Sequence, residues 1–119
     1  MTSPVAAFLD ARTLAQLRAI GDASFLQELI DIYMADALPR IEAIRVAAAG
    51  GDAARLASEA HALKSSSGKI GAAVVRDLCA DLEAAALAGT PRDAVPAVAQ
   101  LESEYVRAVA ELQKIAAGI

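Results

Sequence analysis

The chain offers few residues from which chemistry could start. Its 119 residues include one histidine, His61, and one cysteine, Cys79. A zinc site needs three or four ligands, and one His with one distant Cys does not supply them. Acid–base catalysis sets a histidine in a cleft beside a partner that orients it. Around His61 the sequence reads instead as a helix running from about Asp52 to Ile70, with Leu56, Ala60, Leu63, Ser67 and Ile70 as its inner stripe. At about 100° per residue those five fall within about 40° of one direction, and His61 projects about 140° away from it, toward solvent. Ala54, Ala57, Ser58, Ser65 and Gly68 lie within roughly 60° of His61, so the imidazole stands over a low strip of small side chains. Lys64, one turn on, places a cation about 60° to the side, whereas Glu59 projects about 160° away. An exposed ring nitrogen, an open approach and a nearby cation suit a nucleophile that accepts a phosphoryl group. A histidine in water titrates near ~6.5, so a good share of it is neutral and nucleophilic around neutrality. The same pattern also describes an ordinary surface histidine in an Ala-rich chain, and spacing by itself does not separate the two.

The helix that presents His61 needs partners to bury its apolar stripe. Apolar residues make up 56% of the chain and aromatics only 3%. Ala, Leu, Ile and Val dominate, which favours packed helices over sheets. Asp10 is expected to cap a short first helix that carries Leu14 and Leu17 and ends near Gly21. Asp22 or Ser24 opens a long second helix with Phe25, Leu29, Tyr33, Ala37, Ile41 and Ile44 on its beat. Pro39 should kink that helix or split it near Leu38. Gly50-Gly51 stops it, and Asp52 caps the helix of His61, which Gly71 ends. A fourth helix carries Val75, Leu78, Leu82 and Ala85 to about Gly89, with Cys79 as a small core residue. Thr90-Pro91 punctuates, Asp93 is a candidate cap, and the last helix holds Val98, Leu101, Tyr105, Val109 and Leu112, with Pro96 in its first turn. The expected fold is all-α: an antiparallel four-helix bundle with a short additional N-terminal helix, residues 1–119 forming a single domain.

Charge and composition exclude several classes. The net charge is −4, and no Lys/Arg cluster or aromatic platform supports nucleic-acid binding. No apolar run approaches the roughly 18 residues of a membrane span, and the first residues show no basic segment or cleavage signal. A lone Cys fits a reducing cytoplasm. Neither form of Gly-rich phosphate loop is present, so ATP binding is not expected.

The string Ala60-His61-Ala62-Leu63-Lys64-Ser65-Ser66-Ser67-Gly68-Lys69-Ile70-Gly71-Ala72 closely resembles the signature of the histidine phosphotransfer (HPt) domain family. Gly21-Asp22-x-x-Phe25-Leu26, Pro39, Gly51-Asp52 and Leu78-Cys79-x-x-Leu82-Glu83 extend the likeness in the right order over most of the chain. The resemblance implies a four-helix bundle whose exposed His carries a phosphoryl group between receiver-domain aspartates in a two-component phosphorelay. It implies His61 as phosphoacceptor at Nε2, Lys64 as a cation steadying phosphate or partner, and Glu83 in a position the family often places close to the His. For Glu83 an ordinary solvated side chain is the alternative.

The strip of Ala57, Ser58, Ser65 and Gly68 would be the docking surface for receivers. Where the family usually has Gly directly after the Lys, this chain has Ser65, which keeps the surface low and adds a hydroxyl. The implied partners are response-regulator receiver domains and a hybrid sensor histidine kinase, with the protein a monomer or weak dimer. No cofactor is implied for this chain, since Mg2+ would sit on the receiver. A kinase dimerisation domain fits less well, because an acidic residue and a Pro would usually follow the His, and here Ala62 and Leu63 do. A module that binds and sequesters receivers without transferring is the alternative function.

Overall fold

The computed structural model describes residues 9–118. The reading of the chain's first residues as free of a basic segment or cleavage signal falls outside them. The described residues form helices α1 (Ala11–Ile20), α2 (Ala23–Gly50), α3 (Ala53–Ile70), α4 (Ala73–Leu87) and α5 (Val95–Gly118), with a single 3₁₀ turn at Pro91–Ala94. No strand occurs among them. Helices α2, α3, α4 and α5 pack each against the next, and α5 returns to α2, closing a four-helix bundle. The short α1 lies against α2 and α3 at one end.

Local signals set the ends of these helices. Asp10 Oδ1 accepts from the backbone N–H of Arg12 at 3.1 Å and Thr13 at 3.2 Å, Asp22 from Phe25 at 3.0 Å, and Asp52 from Arg55 at 3.0 Å. Each cap of this kind stabilises its helix by about 1 kcal/mol. Gly71 ends α3 in the left-handed region at φ 83°. A Cβ there would also stand 3.3 Å from the Asp10 carbonyl oxygen. The backbone packs this closely because Asp10 N–H donates to the Gly71 carbonyl at 2.7 Å, tying the entry of α1 to the turn after the His61 helix.

Four local expectations change. Pro39 does not split α2, which runs unbroken for 28 residues. Its ring and Ala35, whose carbonyl loses a helical partner to it, are both exposed, on a side of the helix open to water. Asp93 is not a cap: it lies inside the 3₁₀ turn, which starts after Thr90. In the first turns of α2 the buried residues are Leu26 and Ile30, while Phe25 and Leu29 are only half-buried. Stepping back from Tyr33 in fours drifts about 40° per step, which carries Phe25 off the core direction. Similarly Ala86, not Ala85, is buried at the end of α4.

The rest of the core follows the expected stripes. Leu56, Ala60, Leu63, Ser67 and Ile70 are all buried on α3, as are Val98, Leu101, Tyr105, Val109 and Leu112 on α5. Many alanines among the buried residues let the helix axes approach closely. Cys79 is fully buried, and desolvation pushes its thiol up to about 12, so it stays protonated as a core residue.

Candidate functional site

Helix α3 divides its polar groups between two faces. On the inner face the fully buried Ser67 hydroxyl meets the Tyr33 hydroxyl of α2 at 2.8 Å. On the outer face His61 keeps 67% of its side chain exposed. The burial of the five-residue stripe fixes this orientation, since turning His61 inward would turn Leu63 and Ala60 out.

Glu83 reaches His61 from α4. Its neighbour Leu82 and Cys79, one turn earlier, are both in the core, so α4 is anchored along α3 with Glu83 at the edge of the seam. Glu83 Oε2 lies 2.8 Å from His61 Nδ1, and Oε1 accepts from Lys64 Nζ at 2.6 Å. The Lys64 hydrogen bond above all, aided by that of His61, holds the Glu83 carboxyl below its ordinary value. It is therefore an ionised, acceptor-only group near neutrality, and Nδ1 must be the donor. In a neutral imidazole that leaves the lone pair on Nε2, the nitrogen farther from Glu83. The arrangement is that of an exposed nucleophile whose tautomer is set by a carboxylate and whose flank carries a cation.

The site residues named from the sequence are thus partly gathered and partly not. His61, Lys64 and Glu83 form one cluster. The Lys64 ammonium rests on Glu83 and is not the free cation that α3 taken alone suggests. Glu59 points away, as expected, and pairs with Arg40 at 3.2 Å and Arg55 at 3.4 Å. In the small-residue strip Ser58 and Ser65 are exposed, while Ala57 and Gly68 are half-buried. At Gly68 the stem of Arg76 from α4 covers the surface, its Cδ 3.5 Å from where a Cβ would be.

A groove of about 520 Å³ runs beside the strip, and sequence reasoning did not anticipate it. Leu17, Phe25, Leu29 and Ile32 form one wall, and Ala62, Ser65 and Ile70 the other. The signal was present: Ile32 is a large apolar residue off the core beat, 65% exposed. Ser65 belongs to both strip and groove, so the two surfaces are continuous.

The Hpt domain family model matches residues 28–114, most of the bundle including His61, Lys64, Ser65, Gly68 and Glu83. The chain belongs to the Hpt family. It is a histidine phosphotransfer protein of two-component signalling. The Hpt match leaves out α1, the helix added at one end of the bundle. Among solved structures, the chain is similar to the crystal structure of histidine-containing phosphotransfer protein B (HptB) from Pseudomonas aeruginosa PAO1. The TM-score is 0.86 and the identity 27%, over 96% of this chain and 98% of that one. No curated protein sequence matches the chain. Among the described residues of this Hpt protein, no helix is long and apolar enough to cross a membrane.

Proposed function

We propose that His61 accepts a phosphoryl group from the aspartyl phosphate of a receiver domain and passes it to a second receiver, in the cytoplasm. The observation that carries this reading is the two-point contact of Glu83, which ties Nδ1 and the Lys64 ammonium and, in the neutral ring, leaves the lone pair on Nε2. In transfer, the Nε2 lone pair attacks phosphorus in line, the P–O bond to the aspartate breaks, and the carboxylate leaves with the bond pair. Glu83 orients the ring, and Lys64 offsets phosphate charge beside it. The chain contributes a placed nucleophile, and the receiver supplies Mg2+ and the acidic pocket that holds it. Positioning and electrostatics account for most of such a transfer.

Ala57, Ser58, Ser65 and Gly68 give the receiver a low surface to settle on, and the hydroxyl of Ser65 limits which receivers fit. The test is transfer from several aspartyl-phosphorylated receivers to the wild type and to His61→Gln. The expected product is an acid-labile, alkali-stable phosphoprotein that is absent in the variant. Binding of receivers by both proteins with transfer to neither would replace this reading with a sequestering module.

A further inference from the structure

A carrier has to release its phosphoryl group as readily as it takes it, and the groups around Nδ1 bear on release. Among the described residues, Glu83 is the one charged group paired with the ring, with Lys64 behind it on the second carboxylate oxygen. The neighbouring charges are engaged elsewhere: Asp36 and Glu59 with Arg40, Glu59 also with Arg55, and Asp77 with Arg76. Beneath the site lies the protonated thiol of Cys79.

We propose that Glu83 keeps the proton on His61 Nδ1 after Nε2 is phosphorylated, so that the group is carried on an imidazolium, and that Lys64 sets how firmly the proton is held. This deepens the reading of His61 as carrier and rests on it. On uptake a neutral imidazole and an aspartyl phosphate of charge about −2 become an aspartate of −1 and a phosphoimidazolium whose ring is +1 and phosphoryl −2, with no proton moved. On release an oxygen of the next receiver's aspartate, or of water in hydrolysis, bonds to phosphorus while the P–Nε2 bond breaks and its electron pair returns to Nε2. The leaving group is then a neutral imidazole that still carries Nδ1–H. Without that proton it would be an imidazolide anion, a far poorer leaving group. A carboxylate 2.8 Å from Nδ1 favours the cationic ring. The Lys64 ammonium on the same carboxylate opposes it, so the two residues act on the proton with opposite sign.

The test uses the full chain loaded at His61 with phosphoramidate, a small-molecule phosphoryl donor, and follows loss of the phosphoryl group by 31P NMR as a function of pH. Glu83→Gln keeps an oxygen that accepts from Nδ1–H and removes only the charge. In that variant the fall in release rate with rising pH is expected to begin about one pH unit lower, making release about tenfold slower on the alkaline limb. In Lys64→Gln the same limb is expected to move to higher pH. Ring 15N shifts report the Nδ1 proton directly, and circular dichroism checks that both variants are folded. Superimposable profiles for wild type and Glu83→Gln, or a shift of both variants in one direction, would overturn the inference. Should the profiles separate as expected while no receiver exchanges phosphoryl groups with the wild type, the carrier reading falls and the role of Glu83 stands. Should receivers exchange normally while the profiles coincide, the role of Glu83 falls alone.

Discussion

Two of the polar contacts that tie α3 to its neighbours sit on opposite faces of that helix. Tyr33 and Ser67 share one hydrogen bond in the dry core, between two neutral hydroxyls. His61, Lys64 and Glu83 share two hydrogen bonds at the surface, around one charged carboxylate. A buried hydroxyl left without a partner is costly, so the inner pair matters to stability. Exposed ions stay solvated, so the outer cluster adds little to stability and leaves a ring nitrogen open to a partner. The helix separates holding the fold from presenting a reactive atom.

The largest expected effect breaks the outer face alone. His61→Gln should abolish phosphoryl uptake from receivers while changing unfolding free energy by no more than about 0.5 kcal/mol, the range for exposed substitutions. A transfer assay and a thermal melt on one preparation check both halves. A stability loss comparable to that of a core substitution would mean that the two faces are not independent.

Next in size is a change two turns along the same face. Gly68→Gln should slow transfer on the order of 10²-fold, because added bulk lifts a docked partner off the ring by about an ångström or more. The fold should tolerate it: a Cβ at Gly68 meets only the flexible stem of Arg76, at 3.5 Å, an ordinary contact. Gln is moreover a better helix former than Gly by roughly 0.5–1 kcal/mol. Single-turnover transfer beside a denaturant midpoint measures it, and undiminished transfer would mean that partners approach over another face.

What was legible in the sequence divides along a related line. Helix ends were legible because Asp caps and left-handed glycines act within a few residues, as at Asp22, Asp52 and Gly71. The stripe of α3 was legible because a helix 18 residues long shows its period. The first turns of α2 were not, since the choice between Phe25 and Leu26 for the core depends on where α1 and α3 lie. The groove, the Arg76 stem over Gly68 and the diversion of Lys64 onto Glu83 all arise where two helices meet, which no single-helix projection contains. Glu83 entered through family resemblance, since nothing in its own helix points to a histidine 22 positions earlier.

A smaller effect tests the inner face. Tyr33→Phe keeps the ring, whose centroid lies 5.8 Å from that of Tyr105, and removes the hydroxyl that partners Ser67. The expected loss is about 1–3 kcal/mol in unfolding free energy, with transfer to His61 unchanged. Urea titration and the transfer assay decide it. Tyr33→Phe with Ser67→Ala should recover much of the loss, because neither side then keeps an unsatisfied group.

The smallest effect is the pH dependence that separates the two contacts. Lys64 chiefly, and then His61, hold the Glu83 carboxyl below its ordinary value in the folded chain. The unfolded chain, with Glu near ~4.3, therefore takes up that proton first as pH falls. The contribution of the cluster is fully present above about pH 4.3 and fades as pH drops through the lower folded value. For a pair near the surface it is at most about 1 kcal/mol. The difference in melting temperature between wild type and Glu83→Gln should shrink as pH falls below that value, with the wild type losing its advantage. The two hydroxyls of Tyr33 and Ser67 do not titrate in that range, so the difference between wild type and Tyr33→Phe should not change there. A sloping Tyr33→Phe difference would mean that the inner bond senses the protonation of Glu83, and that the two faces of α3 are coupled through the helix between them.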